Sequence, residues 1–136
     1  MFLLDTNTCI HYLNGTDVGL TRRVLSAGPE RLAVSALTVG ELHFGAERSS
    51  RPQANHERLA TFLRELTVVP FDALCGERFG RIKAGLLSRG RPIPDFDVGI
   101  AATAAATGRT LVSGDAHMRE VPGLPLQNWL QEGGAG

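Results

Sequence analysis

Four acids are spaced so that they can do chemistry together. Asp5 follows an apolar start, MFLLDTNTCI; Glu41 lies in SALTVGELHFGA; Asp97 lies in RPIPDFDVGIAATAA; Asp115 lies in TLVSGDAHM. Each has an ordinary reading. Asp5 suits an N-cap, and Thr38-x-x-Glu41 reads as a capping box with Thr38 at the cap. Asp97 suits the positive end of a helix whose cap is Asp95, and Asp115 suits a Ser-Gly-Asp turn. The joint pattern says more. Asp97 shares the apolar face of its helix with Ile100 and Ala101, so it must be paired, protonated or bound to a cation. Carboxylates that converge repel, and a divalent ion relieves them. Oxygen ligands without a neighbouring His or Cys point to Mg²⁺ or Mn²⁺.

The elements that must position these acids follow from apolar runs and turn residues. Strands are expected at Phe2–Leu4, Leu32–Ser35, Val68–Phe71 and Thr110–Ser113, with a fifth at Leu124–Gln127. Helices are expected from Thr6 to about Leu13, then over Asp17–Ala27, Thr38–Arg48, Asn55–Leu66, Asp72–Arg89 and Asp95–Thr107. Val18, Thr21, Val24 and Leu25 are expected on one face of the second, and Leu42, Phe44, Leu74 and Leu87 are among the apolar residues of the later helices. Leu59, Leu63 and Leu66 read as core or a subunit contact, and Trp129 as a packing anchor. Strands alternating with helices imply a mainly parallel sheet of 4–5 strands between two helical layers, an α/β/α sandwich. Ligands of such sheets bind outside the carboxyl ends of the strands, where Asp5 and Asp115 fall.

Composition narrows the function classes. The 136 residues suit one domain over residues 1–131, with 132–136 (EGGAG) a frayed tail. Fourteen basic and fourteen acidic residues leave no net field toward nucleic acid or membrane. Setting the four acids aside leaves ten against fourteen bases, a mildly basic remainder, and every base but Lys83 is Arg. Arg89 and Arg91, just before Asp97, are candidates for phosphate contacts; a solvated turn is their plain reading, and Arg48 and Arg51 are weaker candidates. Cys9 and Cys75 lack metal spacing and suit a reducing compartment. Asp5 interrupts any secretory h-region and no apolar run reaches ~20 residues, so the expected location is the cytoplasm. His11, His43, His56 and His117 form no i,i+4 pair and read as structural.

Taken in order, LLDTNTCIHYLNG, SALTVGELHFGA, GRPIPDFDVGIAATAAATGRTLVSGD and VPGLPLQNWL resemble the PIN-domain ribonucleases, specifically the VapC-type toxins, from about Met1 to Leu130. The resemblance implies a PIN-like fold and an acidic triad of Asp5, Glu41 and Asp97, with Asp115 as a fourth acid. It makes Thr6, Asn7 and Ser113 supporting polar residues and Asp5 and Asp97 the metal ligands. The implied activity is Mg²⁺- or Mn²⁺-dependent hydrolysis of RNA. The implied partners are RNA, a VapB-like cognate antitoxin and a second copy of the chain. One departure is Phe96 where many relatives have Asn before the third acid; Asp95 then competes for metal, but only Asp97 is followed by the family's spacer and Ile-Ala-Ala. A receiver domain would need a lysine after a late strand, and a haloacid-dehalogenase-like phosphatase an acid at position 7, which is Asn. The remaining alternative is a catalytically inactive PIN-like module that binds RNA or a partner.

Overall fold

The computed structural model describes residues 1–130; the tail expected at 132–136 lies outside the described residues. The chain runs β1 (Phe2–Leu4), α1 (Thr6–Asn14), α2 (Val18–Ala27), β2 (Leu32–Ser35), α3 (Ala36–Glu47), α4 (Pro52–Arg64), β3 (Thr67–Val69), α5 (Ala73–Ser88), α6 (Asp95–Thr107), β4 (Thr110–Val112) and β5 (Leu126–Gln127). Short 3₁₀ turns cover Pro29–Arg31 and Ala116–Glu120.

The five strands form one parallel sheet in the order β3-β2-β1-β4-β5. Strand side chains alternate between faces, and the core divides accordingly. Leu3, Ala33 and Leu111 pack with Leu86, Ile100 and Ala104 of α5 and α6. Leu4, Val34 and Val112 pack with Cys9, Leu20, Leu42 and Leu59 of α1–α4. Each fully buried Leu or Val contributes roughly 1.5–3 kcal/mol, so both faces hold the sheet. Trp129 closes the second core edge-on to Phe2 at 4.9 Å, and its indole N–H donates to Gln127 at 2.8 Å.

Chain order reverses beside β1: the connection after β1 leads to β2 on one side, and β4 later enters on the other. The crevice between β1 and β4 at their carboxyl ends is therefore the topological switch point, where open α/β sheets hold ligands. Register places Leu4 against Val112 there, and the Asp5 N–H extends the ladder to the Val112 carbonyl at 3.1 Å.

Several expectations need correction. Ser35, not Thr38, caps α3, accepting from the Leu37 N–H at 3.0 Å. The strand passes into the helix with no loop, so Thr38 is already one turn inside. Its buried hydroxyl accepts instead from Thr6 at 3.1 Å. The capping-box reading of Glu41 falls with it. Pro94, not Asp95, stands at the cap position of α6, and Asp95 pairs with Lys83 at 3.0 Å. In α2 the inner residues are Leu20 and Val24, while Val18 and Leu25 are exposed. Asp17 caps this helix through the Leu20 N–H. Phe44, Leu74 and Leu87 are also exposed. The stripe of Leu59, Leu63 and Leu66 packs on the second core as expected.

Candidate active site

Asp5 leaves β1 in extended conformation and caps α1, its Oδ1 accepting from the Thr8 N–H at 2.8 Å. Alternation carried one residue past the strand puts it on the Leu3 face, the side covered by α6. Only 6% of Asp5 is exposed. The Thr6 and Thr8 hydroxyls fasten this corner, Thr6 to Thr38 at 3.1 Å and Thr8 to the Val112 carbonyl at 3.3 Å.

Across the crevice, Ser113 continues β4 and its N–H donates to Gln127 at 2.9 Å. The buried Ser113 hydroxyl accepts from the Asp115 N–H at 3.0 Å. Asp115 caps the 3₁₀ turn, its Oδ1 accepting from the His117 N–H at 2.9 Å. Asp97 lies in the first turn of α6. Ligand atoms of Asp97, Asp115 and His117 all lie within 4.8 Å of one another. The His117 Nδ1 is 3.4 Å from Asp115 and 3.7 Å from Asp97.

Electrostatics bind Asp5 to the same group. The Asp97 carboxyl is pushed above the usual carboxylate range, first by burial and next by the Asp115 charge; the Asp5 charge adds a smaller push and His117 opposes them. The Cys9 thiol, one turn beyond Asp5, is pushed up by burial and by that same carboxylate. Cys9 is thus an inert core residue.

The sequence-derived candidates are not all placed alike. Asp97, Asp115 and His117 come together beside the β1–β4 crevice, and Asp5, at the exit of β1, is close enough for its charge to act on Asp97. Glu41 is exposed on α3, in a cleft of about 260 Å³ that it lines with Ile10, Asn14 and Arg58, and it stands outside the three-residue cluster. Asn7 is exposed in the first turn of α1 and Ser113 is a direct support of Asp115. Arg89 donates to the Glu120 carbonyl at 2.7 Å, and Arg91 is exposed in the loop before α6. His117 was set aside for want of an i,i+4 partner. Its signal was the two-residue spacing to Asp115, which a tight turn after a strand folds onto one spot.

The donor set fits a hard divalent cation. Two carboxylates and an imidazole lie within 4.8 Å of one another, one carboxyl has its ionised form disfavoured, and a cation would offset the repulsion of Asp97 and Asp115. The oxygens of Asp97 and Asp115 could hold it, with the His117 ring nitrogen beside them.

Comparison with known proteins gives the family. Residues 2–124 match the PIN domain family. The chain is 34% identical over 130 residues to Ribonuclease VapC2 of Haemophilus influenzae, covering 95% of this chain and 98% of that protein. It is 31% identical over 129 residues to the tRNA(fMet)-specific endonuclease VapC of Salmonella typhimurium, covering 94% and 97%. Its fold matches the crystal structure of DNA-bound VapBC from Salmonella typhimurium with a TM-score of 0.89 at 30% identity, covering 94% of this chain and 97% of that one. VapBC2 from Rickettsia felis, bound to a promoter DNA fragment, matches with a TM-score of 0.88 at 28% identity, covering 94% and 98%. The chain belongs to the PIN domain family and, within it, to the VapC-type ribonucleases.

Proposed function

We propose that this chain is a metal-dependent endoribonuclease, the toxin of a type II toxin–antitoxin pair, and that it hydrolyses RNA phosphodiester bonds at the β1–β4 crevice. The observation that carries the reading is the clustering of Asp97 and Asp115 with His117 at the switch point, where burial and the charges of Asp115 and Asp5 hold Asp97 above its ordinary pKa. Asp5 and Asp97 are the metal ligands in this reading, for Mg²⁺ or Mn²⁺. Bound there, the ion supplies a polarised phosphoryl oxygen and an acidified water.

The chain's own residues do the rest. Ser113 fixes the Asp115 backbone, so the Asp115 carboxylate can orient the attacking water with Asp97. The Thr6–Thr38 hydrogen bond keeps α1 and α3 together beneath the crevice. Glu41 completes the catalytic acids from the flank, and Asn7 is a further polar support. A proton on His117, like a cation, balances the charge of Asp97 and Asp115, so protonated His117 competes with metal for them. Arg89 and Arg91 stand at the entry to α6 as contacts for RNA phosphates.

Partner assignments rest on relatives. The Salmonella and Rickettsia neighbours are VapBC assemblies, which supports a VapB-like antitoxin here; a homodimer and a cytoplasmic location complete the proposal. Among the described residues, no helix is long and apolar enough to cross a membrane.

The test is cleavage of structured RNA with Mg²⁺ or Mn²⁺, comparing wild type with Asp5→Asn and Glu41→Gln. Asn caps a helix about as well as Asp, and Glu41 is exposed and caps nothing. Glu41→Gln should melt within roughly 0.5 kcal/mol of wild type, Asp5→Asn should stay folded with its cap intact, and both should lose cleavage. RNA binding by the wild type without metal-dependent cutting would favour the inactive module instead.

A further inference from the structure

A second feature of the surface is a groove of about 420 Å³ between α5, α6 and the segment 121–125. Arg78, Arg81, Arg89 and Arg109 line it, and no carboxylate does. Arg81 is engaged by Glu77 at 2.9 Å and Arg89 by the Glu120 carbonyl. Neither Arg78 nor Arg109 has an acidic partner among the described residues. The Arg109 Nε is sealed from solvent and makes no hydrogen bond. As the side chain lies no anion reaches that nitrogen, so what the groove offers an anion is the exposed Arg78 and an arginine-rich lining without a carboxylate. Between the arginines the lining includes Gly108 and Gly123, which leave a backbone-lined floor open to a bulky group.

The groove is tied to the acids by two elements. Helix α6 carries Asp97 in its first turn and Ala105 at the groove, about 12 Å further along the axis. The 3₁₀ turn runs from Asp115 and His117 directly into Val121, a wall of the groove. Along β4, Arg109 and Asp115 are six residues apart, so at most about 20 Å separates them. That is on the order of six base steps at 3.4 Å each.

We propose that this groove binds backbone phosphates of the RNA substrate at most about six base steps from the bond that is cut. The proposal rests on the reading of the chain as a ribonuclease. Arginine forks favour phosphate over carboxylate-poor or apolar ligands, and the spacing suits a strand or stem reaching from the acids along α6. It explains how a chain of zero net charge engages a polyanion: the groove gathers four arginines with no carboxylate in its lining, apart from the cluster of Asp97 and Asp115.

The experiment measures binding of a fluorescein-labelled RNA hairpin with a stem of about eight base pairs, in EDTA, from about 50 to 200 mM salt. The full chain is compared with Arg78→Gln, with Arg78→Gln/Arg109→Gln, and with Arg22→Gln, an exposed α2 arginine outside the groove, as the control for loss of one charge. Each lost phosphate contact should flatten the plot of log affinity against log salt by about 0.9, and the double variant should bind about tenfold more weakly at the lower salt. Because Arg109 is half-buried, Arg78→Gln alone decides the matter if the double variant melts early. Affinity and slope equal to those of Arg22→Gln would overturn the proposal. So would unchanged RNA binding with lost binding of poly-glutamate, which would make the groove an acidic-peptide site. Failure of the ribonuclease reading looks different: wild type then cuts no RNA with Mg²⁺ or Mn²⁺, whatever the arginine variants do in EDTA.

Discussion

Asp97→Asn should raise, not lower, the melting temperature of the metal-free protein. Oxygens of Asp97 and Asp115 lie within 4.8 Å of each other. At that distance and an effective dielectric of about 20, two full charges repel by roughly 3.5 kcal/mol. The two side chains keep 22% and 29% of their surface exposed, so solvent screening brings the repulsion to about 2 kcal/mol. Asn forfeits a favourable charge at the start of α6, worth about 0.3–1 kcal/mol. The net gain is about 1 kcal/mol, or roughly 3–4 °C for a domain of this size. The sign with pH follows from the direction of the shift. A carboxyl raised in the folded state costs stability above its folded pKa, and the cost fades as pH falls through that value toward the ordinary carboxylate range. The advantage of Asp97→Asn should therefore be full at neutral pH and shrink on acidification. Saturating Mg²⁺ should reverse the order, since a ligand at a hundred times its Kd stabilises the wild type by about 2.7 kcal/mol and the variant lacks one donor. Thermal melts in EDTA and in Mg²⁺, each at two pH values, read all of this. A variant that melts below wild type in EDTA at neutral pH would refute the crowding argument. An equal rise of both proteins with Mg²⁺ would refute Asp97 as a ligand.

Two further outcomes test the supports of the site. Ser113→Ala removes the acceptor of the Asp115 N–H at 3.0 Å; it should cost about 1 kcal/mol of stability and lower kcat for RNA by more than that loss explains, read by melting and by cleavage rate. Cys9, with no exposed surface and its thiol pushed up by burial and by Asp5, should resist iodoacetamide in the folded protein and react only in denaturant; peptide mass mapping after native labelling checks it.

Much of the fold was legible because short, strongly apolar strands flank it. FLL and LAVS lie at the predicted positions, and α6 spans the predicted Asp95–Thr107. Helix starts were less legible. SALTVGE offers hydroxyls at Ser35 and at Thr38, and only the sheet register, which ends β2 at Ser35 and starts α3 at Ala36, decides between them. The face of α2 was ambiguous for a similar reason: Val18/Leu25 and Leu20/Val24 are both helical spacings, and packing on the second core takes the latter pair. Asp5, Asp97 and Asp115 could be gathered from the parallel topology alone, because strand exits and a helix entry share one edge. Glu41 could not be fixed that way, since α3 carries it a turn and a half past the strand, onto an exposed flank. The arginine groove was hidden because its residues come from three separate segments with no shared motif.

For these acids the ordinary and the catalytic readings turn out to be compatible. Asp5 does cap α1, but with one oxygen; the other makes no hydrogen bond among the described residues. Asp115 does cap its turn, and its backbone is in turn held by Ser113. Asp97 does sit at the positive end of a helix. These are the local interactions that let several anions be held close before any cation arrives. Helix and turn N-termini supply N–H donors at the carboxyl edge of a parallel sheet, and each cap spends only part of a carboxylate. What remains unspent is aimed at a shared crevice. Capping thus explains how an expensive cluster of charge can be built into a fold without a compensating lysine, and why removing one charge should tighten the scaffold while ending its chemistry.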